Sequence, residues 1–558
     1  MRLPTSCSLR LPRSTPKTAS GIPTSALWKS AATVHSRRPT SSPTSCTNPR
    51  GNTMANNCPQ KTISSDITGL SYAREKCLNE LPDNPVWNPL EPNSIDSFGA
   101  TITTATRTPI GSGRQRIKGE ITDLEAAGGY TTDLTSHNHQ DFMEGFLLAD
   151  SRKVFELRND GATPQITDFT DNVVTVSTVG QVSPGDLLIV LDSGVPGADG
   201  VREVTDVDSA AKTITFKIEA GQVGVPNAGT NRALHIKVVG HRSAKGEATM
   251  SVANGIYSLT DTTGYGTNLT GIIQAGDWVY IHGLKAFQGF ARVASASGNT
   301  ITFNRILGAV DALASEADST CELYVSTSIR NPDKFEDMRF HSFQLEQTLG
   351  ADKDGTQARY ITGAMANEFT LTVPSADKVT AQFGFVACDE ETRTGQEGVK
   401  AGERKPLITY PMFNGSNTSN RVWLHVEGEA EPLFTYATQA TVTINNNMTG
   451  VKAIGVEGNL DINVGTFDVG GSVTAYFLDL RAVRAMRSNA DVGGTVALMG
   501  RNTAVLFDMP KMGLSNGATA IEPNTPVTIS IDMEAVRNEL NYTLQYCYFA
   551  FLPTPTKK

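Results

Sequence analysis

Alternation of apolar and polar residues is the strongest pattern in the chain, and it concentrates from residue 326 to the end. Phe369, Leu371 and Val373 alternate with threonines, and Val379, Ala381, Phe383 and Phe385 alternate with Thr, Gln and Gly. The runs Val442/Ile444, Val473/Ala475/Phe477 and Val527/Ile529/Ile531 repeat the habit. A period of two sends successive side chains to opposite faces, so each run predicts a strand with one buried and one wet face. Upstream, Ala100–Thr106 and Glu120–Leu124 have strand character on either side of a Gly/Arg loop running from Gly111 to Lys118. The helical period surfaces only twice. Between Ser136 and Ala149, Phe142, Met143, Phe146 and Leu147 share one face, with Ser136 or Thr135 available as N-cap. A shorter helix over Asp479–Ser488 stacks Leu480, Val483 and Met486 beside Arg481, Arg484 and Arg487. The pattern predicts a mostly β chain, a β-sandwich with a flanking short helix.

A second pattern is an internal repeat between about Val154 and Val325. Gly185-Asp186-Leu-Leu-Ile-Val-Leu leads through a Gly-rich loop to Val204 and then to Thr213-Ile-Thr-Phe216. Gly276-Asp277-Trp-Val-Tyr-Ile leads through a similar loop to Val293 and then to Thr300-Ile-Thr-Phe303. Each copy reads as three short strands of a small β unit. Two copies are too few for a solenoid, so they predict sibling modules placed side by side. The expected organisation is a core of residues 54–153 and 326–558, with 154–325 inserted as a domain of two related small β modules.

Composition changes the picture mainly at the N-terminus. Residues 1–53 hold ten Ser, nine Thr and seven Pro, eight basic side chains and no acidic one. With no apolar period, such a segment buries too little surface to offset its ordering entropy. Two readings stay open: translation that starts at Met54, or a real disordered arm. Without this segment, 40 Lys and Arg face 57 Asp and Glu, a net −17. A body this acidic is a poor grip for nucleic acid, because phosphate binding relies on basic clusters. The seven cysteines form no CxxC pair, which argues against a zinc site or a disulfide framework. No run approaches 18 consecutive apolar residues, so no membrane insertion is expected.

Candidate chemistry is sparse. His137-Asn138-His139 spells the letters of a nuclease family, HNH, but residues two apart on a helix point about 200° apart and their imidazoles could not share one metal. Asp352-Lys-Asp354-Gly355 opens like a calcium loop, yet its glycine comes too early and no bidentate Glu follows; a tight turn is the simpler reading. Asp389-Glu390-Glu391 reads as a solvated loop. The basic set Arg107, Arg114, Arg116 and Lys118 lacks interleaved aromatics, and such side chains more plausibly pair with carboxylates of a neighbouring copy. His-Glu-x-x-His, Gly-x-Ser-x-Gly, a phosphate-binding loop and Gly-x-Gly-x-x-Gly are all missing from the sequence. No catalytic, cofactor-binding or metal-binding residue is assigned, and the chain is expected not to be an enzyme.

The flanks of the insertion carry a resemblance. They include Gly69-Leu-Ser-Tyr-Ala-Arg-Glu75, Ser97-Phe-Gly-Ala100, Arg114-Gln-Arg-Ile-Lys-Gly119 and Gly145-Phe-Leu-Leu-Ala-Asp150. Further on stand Phe369-Thr-Leu-Thr-Val-Pro374 with Asp377-Lys-Val-Thr-Ala381, Val442-Thr-Ile-Asn-Asn-Asn447, and Gly465-Thr-Phe467 through Gly471-Ser-Val-Thr-Ala-Tyr-Phe477. In this order they resemble the major tail tube proteins of long-tailed (siphovirus-like) bacteriophages, over roughly 62–150 and 326–553. The resemblance implies a structural virion protein of the phage tail, assembled in the host cytoplasm. It further implies a sandwich or barrel core, six copies closing into a ring, and rings stacking into a tube that delivers double-stranded DNA. The implied partners are other copies of the chain, the tape measure, tail terminator and distal tail proteins, and double-stranded DNA in passive passage. A β-rich adhesin or carbohydrate-binding module is the alternative; it accounts for the Gly-Asp units and for Trp278 and Tyr280, but not for a core in two parts.

Overall fold

A computed structural model describes residues 68–553 apart from 109, 111–114, 116–117, 153–154, 160–164, 181, 220, 226–233, 263–271, 309, 311–314, 352–354, 418–419 and 430. The 1–53 segment and the Met54 start lie outside the described residues, as do Arg114, Arg116, Asp352 and Asp354. Two large antiparallel sheets account for nearly every strand. One takes its strands from Thr68–Asp133 and Thr327–Phe549, the other from Glu156–Val325.

In the first sheet the expected alternation lands where it should. Phe369, Leu371 and Val373 are buried while the threonines between them are half-buried, and Phe383, Val442, Ile444, Val473 and Ile531 face the same core. Two long strands build the sandwich by changing partners midway. Thr356–Pro374 pairs with Ser342–Ala351 and Asp389–Arg393 over its first half, then with Thr380–Ala387 and Ala437–Asn445 over its second. Ala504–Ala520 lies between Val492–Met499 and Gln545–Phe549, then moves onto Thr528–Ala535. The pairings among the described residues stay open and close no barrel. Ser94–Ala105 and Glu120–Asp133 form a hairpin whose outer half leaves the sheet as an arm.

The helix expected at 136–149 is shorter. Helix α1 spans Gln140–Leu147, because Asn138 takes the Thr135 N–H on its Oδ1 and gives its amide to the Asp133 carbonyl, which stitches 133–138 into a turn. Leu148, at φ +48°, ends the helix with its N–H on the Glu144 carbonyl. Phe142 and Phe146 set their rings against Tyr72, Phe343, Phe369, Phe383 and Phe385. Helix α2 covers Arg481–Arg487 and buries Ala482 and Ala485; Leu480, expected on its inner face, is exposed. The two small alanines let the helix backbone sit close to the sheet.

The second sheet repeats itself more fully than the sequence signals. Strands 166–170, 173–176, 213–216, 200–208, 186–191 and 235–243 follow one another across the first unit. Strands 248–253, 256–261, 300–307, 289–297, 278–282 and 321–325 do so across the second. Each unit thus repeats six strands, not three, and Glu156–Arg158 adds one more beside His235–Ser243; the leading hairpins share the pairing but little of the sequence. Pairing of His235–Ser243 with Cys321–Val325 joins them. The Gly-Asp signature is explained by its turn. Gly185 and Gly276 have φ of +89° and +85°, where a side chain would be strained. Asp186 and Asp277 each accept the N–H three residues back, from Ser183 at 2.7 Å and Gln274 at 2.8 Å.

The chain passes between the sheets at one place. The Arg152 N–H donates to the Ser328 carbonyl at 2.8 Å. Asp277 holds both crossings, accepting from Arg152 at 2.7 Å and Arg330 at 2.9 Å. The sheets also meet over an apolar face: Trp278, Tyr280, Phe290 and Tyr324 pack against Met499, Leu506, Phe549 and Leu552.

Candidate functional site: an assembly surface

The residues with the most chemical potential are occupied by structure. His139 is buried, with Nε2 2.6 Å from the Tyr546 hydroxyl and Nδ1 3.3 Å from Asn138 Oδ1. Burial, followed by neighbouring His137, drives its pKa down to about 3. The imidazole is therefore neutral, and its Nε2 accepts a hydrogen bond from the Tyr546 hydroxyl. His137 turns elsewhere, stacking on Tyr410 at 3.8 Å between ring centroids. The two rings serve different partners.

Asp389-Glu390-Glu391 corrects the solvated-loop expectation, because it lies in a strand paired to Thr356–Pro374. Glu390 is held by Arg359 at 2.8 Å and by the Ala100 N–H at 2.6 Å, and Glu391 by Arg393 and Lys400, each at 2.7 Å. Arg359 and Lys400 come from outside this strand and Arg393 from its own end, and together they let the acids stand in it. Ala351 pairs with Thr356, and the tight-turn reading of Asp352–Gly355 falls on residues of which 352–354 lie outside the described ones. Arg107 and Lys118 are exposed on the loop beyond the arm.

Two further charged groups could hold a ligand and are already filled by the chain itself. Glu144, Asp150 and His341 bring one ligand atom each within 4.8 Å of one another. Arg74 sits among them, 2.7 Å from Glu144 and 2.5 Å from His341 Nδ1, so a guanidinium takes the cation's place. A cleft of about 820 Å³ in the second sheet is lined by Glu203, Lys217, His241, Arg242 and Glu322. Arg242 spans Glu203 at 2.6 Å and Glu322 at 2.8 Å. Although burial opposes it, His282, Tyr324 and Arg242 hold the Glu322 carboxyl down at about 2. This is an ion-pair network that ties strands together. Trp278 and Tyr280 are buried between the sheets and present no face to a sugar.

Several large apolar side chains remain uncovered. On the arm, Ile102 and Ile121 are about half exposed. Tyr436, Leu478, Leu480 and Ile521 stand out at one place, and Ile454, Val456 and Leu460 at another. Sequence reading missed these. An apolar residue in a short loop looks like any core residue, and the only available signal was apolar positions flanked by glycine, as in Ile454-Gly455 and Gly458-Asn459-Leu460. Exposed apolar patches of this kind mark contact with other proteins.

The described residues contain no helix long and apolar enough to cross a membrane. No curated protein matches the chain. The sequence profile of the phage tail tube protein family matches residues 65–535, most of the sheet core and all of the second sheet. An open β-sandwich with uncovered apolar side chains is what a self-assembling wall subunit requires, and the chain belongs to the phage tail tube protein family.

Proposed function

We propose that the chain closes into rings of six, that the rings stack into the tail tube, and that double-stranded DNA passes through without being held. The arm carries this reading. Its outer half is a two-stranded ribbon with no further sheet neighbour and with Ile102 and Ile121 open to water, and an isolated hairpin is marginal in water. A neighbouring copy would cover it. Ring closure would also pair strand edges that a single copy leaves open. The −17 body suits a lumen along which phosphates slide. In this reading the tube acts without catalysis, in the virion, after assembly in the host cytoplasm. Its ends meet the tape measure, tail terminator and distal tail proteins. Residues 154–325 form an inserted domain that projects from the outer wall.

Electron microscopy of the purified protein at high concentration tests the reading. Hollow filaments with six-fold end views are expected. Monomers at every concentration, or solid fibres, would count against it. A reconstruction placing a continuous basic ring in the lumen would remove the sliding argument, because multiple phosphate contacts would hold DNA at low salt.

A further inference from the structure

We propose that successive copies dock head to tail through the two ends of one strand pair, Ala437–Asn445 with Asp468–Tyr476, the turn end of one copy entering the open end of the next. The proposal rests on the tube reading above. The two strands pair from Ala437↔Ala475 to Asn445↔Asp468, so their turn and their open end lie about 27 Å apart.

The turn end carries a small second hairpin, Thr449–Val451 with Asp461–Asn463. At its tip Ile454 is fully exposed, flanked by exposed Val451, Val456 and Leu460. This tip is anchored from below. Met448 and Ile462 are buried, the Asn459 amide donates to the Ala387 carbonyl at 2.7 Å, and its N–H donates to the Cys388 carbonyl at 2.9 Å. Its nearby cation, Lys452, is bound to Asp123 at 2.6 Å. Glu457 and Asp461 stay exposed and form no ion pair among the described residues. The tip is apolar and acidic.

The open end offers unpaired cations on a similar apolar ground. Tyr436 precedes one strand, and Tyr476 and Leu478 end the other; Leu480 leads into α2. Tyr436, Leu478 and Leu480 are each more than half exposed. Ile521 joins them, because Thr528 pairs with both Tyr476 and Ala520. Arg481 is engaged by Glu431 and Asp479, both at 2.9 Å. Arg484 and Arg487 are exposed and form no ion pair among the described residues. Glu522, beside Ile521, is exposed as well, so this end is apolar with its unpaired cations, Arg484 and Arg487, on α2.

The occupant of each surface is a second copy of this chain. One molecule presents both complementary halves, at opposite ends of the same two strands. A heterologous contact of that geometry does not close on itself and repeats as an open filament. The anchored tip needs no ordering on contact, which favours binding.

Charge reversal tests it. Wild type, Arg484→Glu with Arg487→Glu, Glu457→Lys with Asp461→Lys, and all four changes together are compared by pelleting and electron microscopy. Circular dichroism and gel filtration monitor the soluble fraction. Tubes are expected from wild type and from the fourfold variant, and loss of tubes with a folded soluble chain from each twofold variant. Ile454→Ser, at a fully exposed position where folding is not at stake, is expected to lose tubes as well. Tubes from both twofold variants and from Ile454→Ser would overturn the contact while leaving the tube reading intact. Absence of tubes from wild type would sink the tube reading, and this contact with it.

Discussion

His139 and His425 are buried where an imidazolium is hardest to keep. His425 is 3% exposed, and its Nδ1 has no partner among the described residues. Burial, then Arg305 and Arg292, push its pKa down to about 2; His139 sits at about 3. In the unfolded chain both return to the ordinary value near 6.5. Between pH 6.5 and 3 the unfolded chain binds protons that the folded chain refuses. Stability is therefore fully present above 6.5 and is lost as pH falls, by about 1.4 kcal/mol per pH unit for each histidine. Paired carboxylates such as Glu322 add their own acid loss only below about 4.5. The window from pH 6.5 to 5 thus isolates the histidines. Urea midpoints at pH 7 and pH 5 should show His425→Leu retaining about 2 kcal/mol of what wild type loses. Equal losses in the two proteins would mean that His425 is protonated or solvated in the fold.

At the scale of elements, strands were legible and their neighbours were not. Alternation placed Phe369–Val373 and Val379–Phe385 because the sheet buries one face only. The sequence could not show that Arg359 would reach Glu390 and Lys400 would reach Glu391, nor that Asn138 would consume the first turn of α1. For the assembly surface, Ile454 and Leu480 carry no local mark that separates a displayed residue from a core one. Gly145 is a case where the element explains the residue. A Cβ there would stand 3.1 Å from the Phe343 ring and 3.2 Å from Ala366 Cβ, so α1 lies on the sheet with no room to spare. Gly145→Val is expected to cost about 1–3 kcal/mol through overpacking, read as a lowered urea midpoint. A variant as stable as wild type would show that α1 can lift away from the sheet freely.

At the scale of the whole molecule, the decisive fact is how the second sheet rests on the first. The two repeats contribute to one apolar cluster, with Leu188, Val204 and Phe216 from the first and Val293 and Phe303 from the second. The aromatics Trp278 and Tyr280 do something else: with Phe290 and Tyr324 they cover Met499, Leu506, Phe549 and Leu552 of the core. An inserted domain at 154–325 can be excised in principle, because Arg152 and Ser328 are hydrogen-bonded neighbours and a short Gly/Ser linker spans the gap. Plain excision uncovers four large apolar side chains, each worth about 1.5–3 kcal/mol on burial, and is expected to give insoluble protein. The informative deletion carries Met499→Thr, Leu506→Thr, Phe549→Thr and Leu552→Ser on the uncovered face. These positions lie on the face that the second sheet covers, away from the arm and from the strand pair whose two ends are assigned to stacking. The resurfaced deletion should stay soluble and form hollow tubes of unchanged inner diameter and reduced outer diameter. A folded, soluble deletion protein that makes no tubes, or makes tubes of altered bore, would place residues 154–325 inside the assembling wall and not on its exterior.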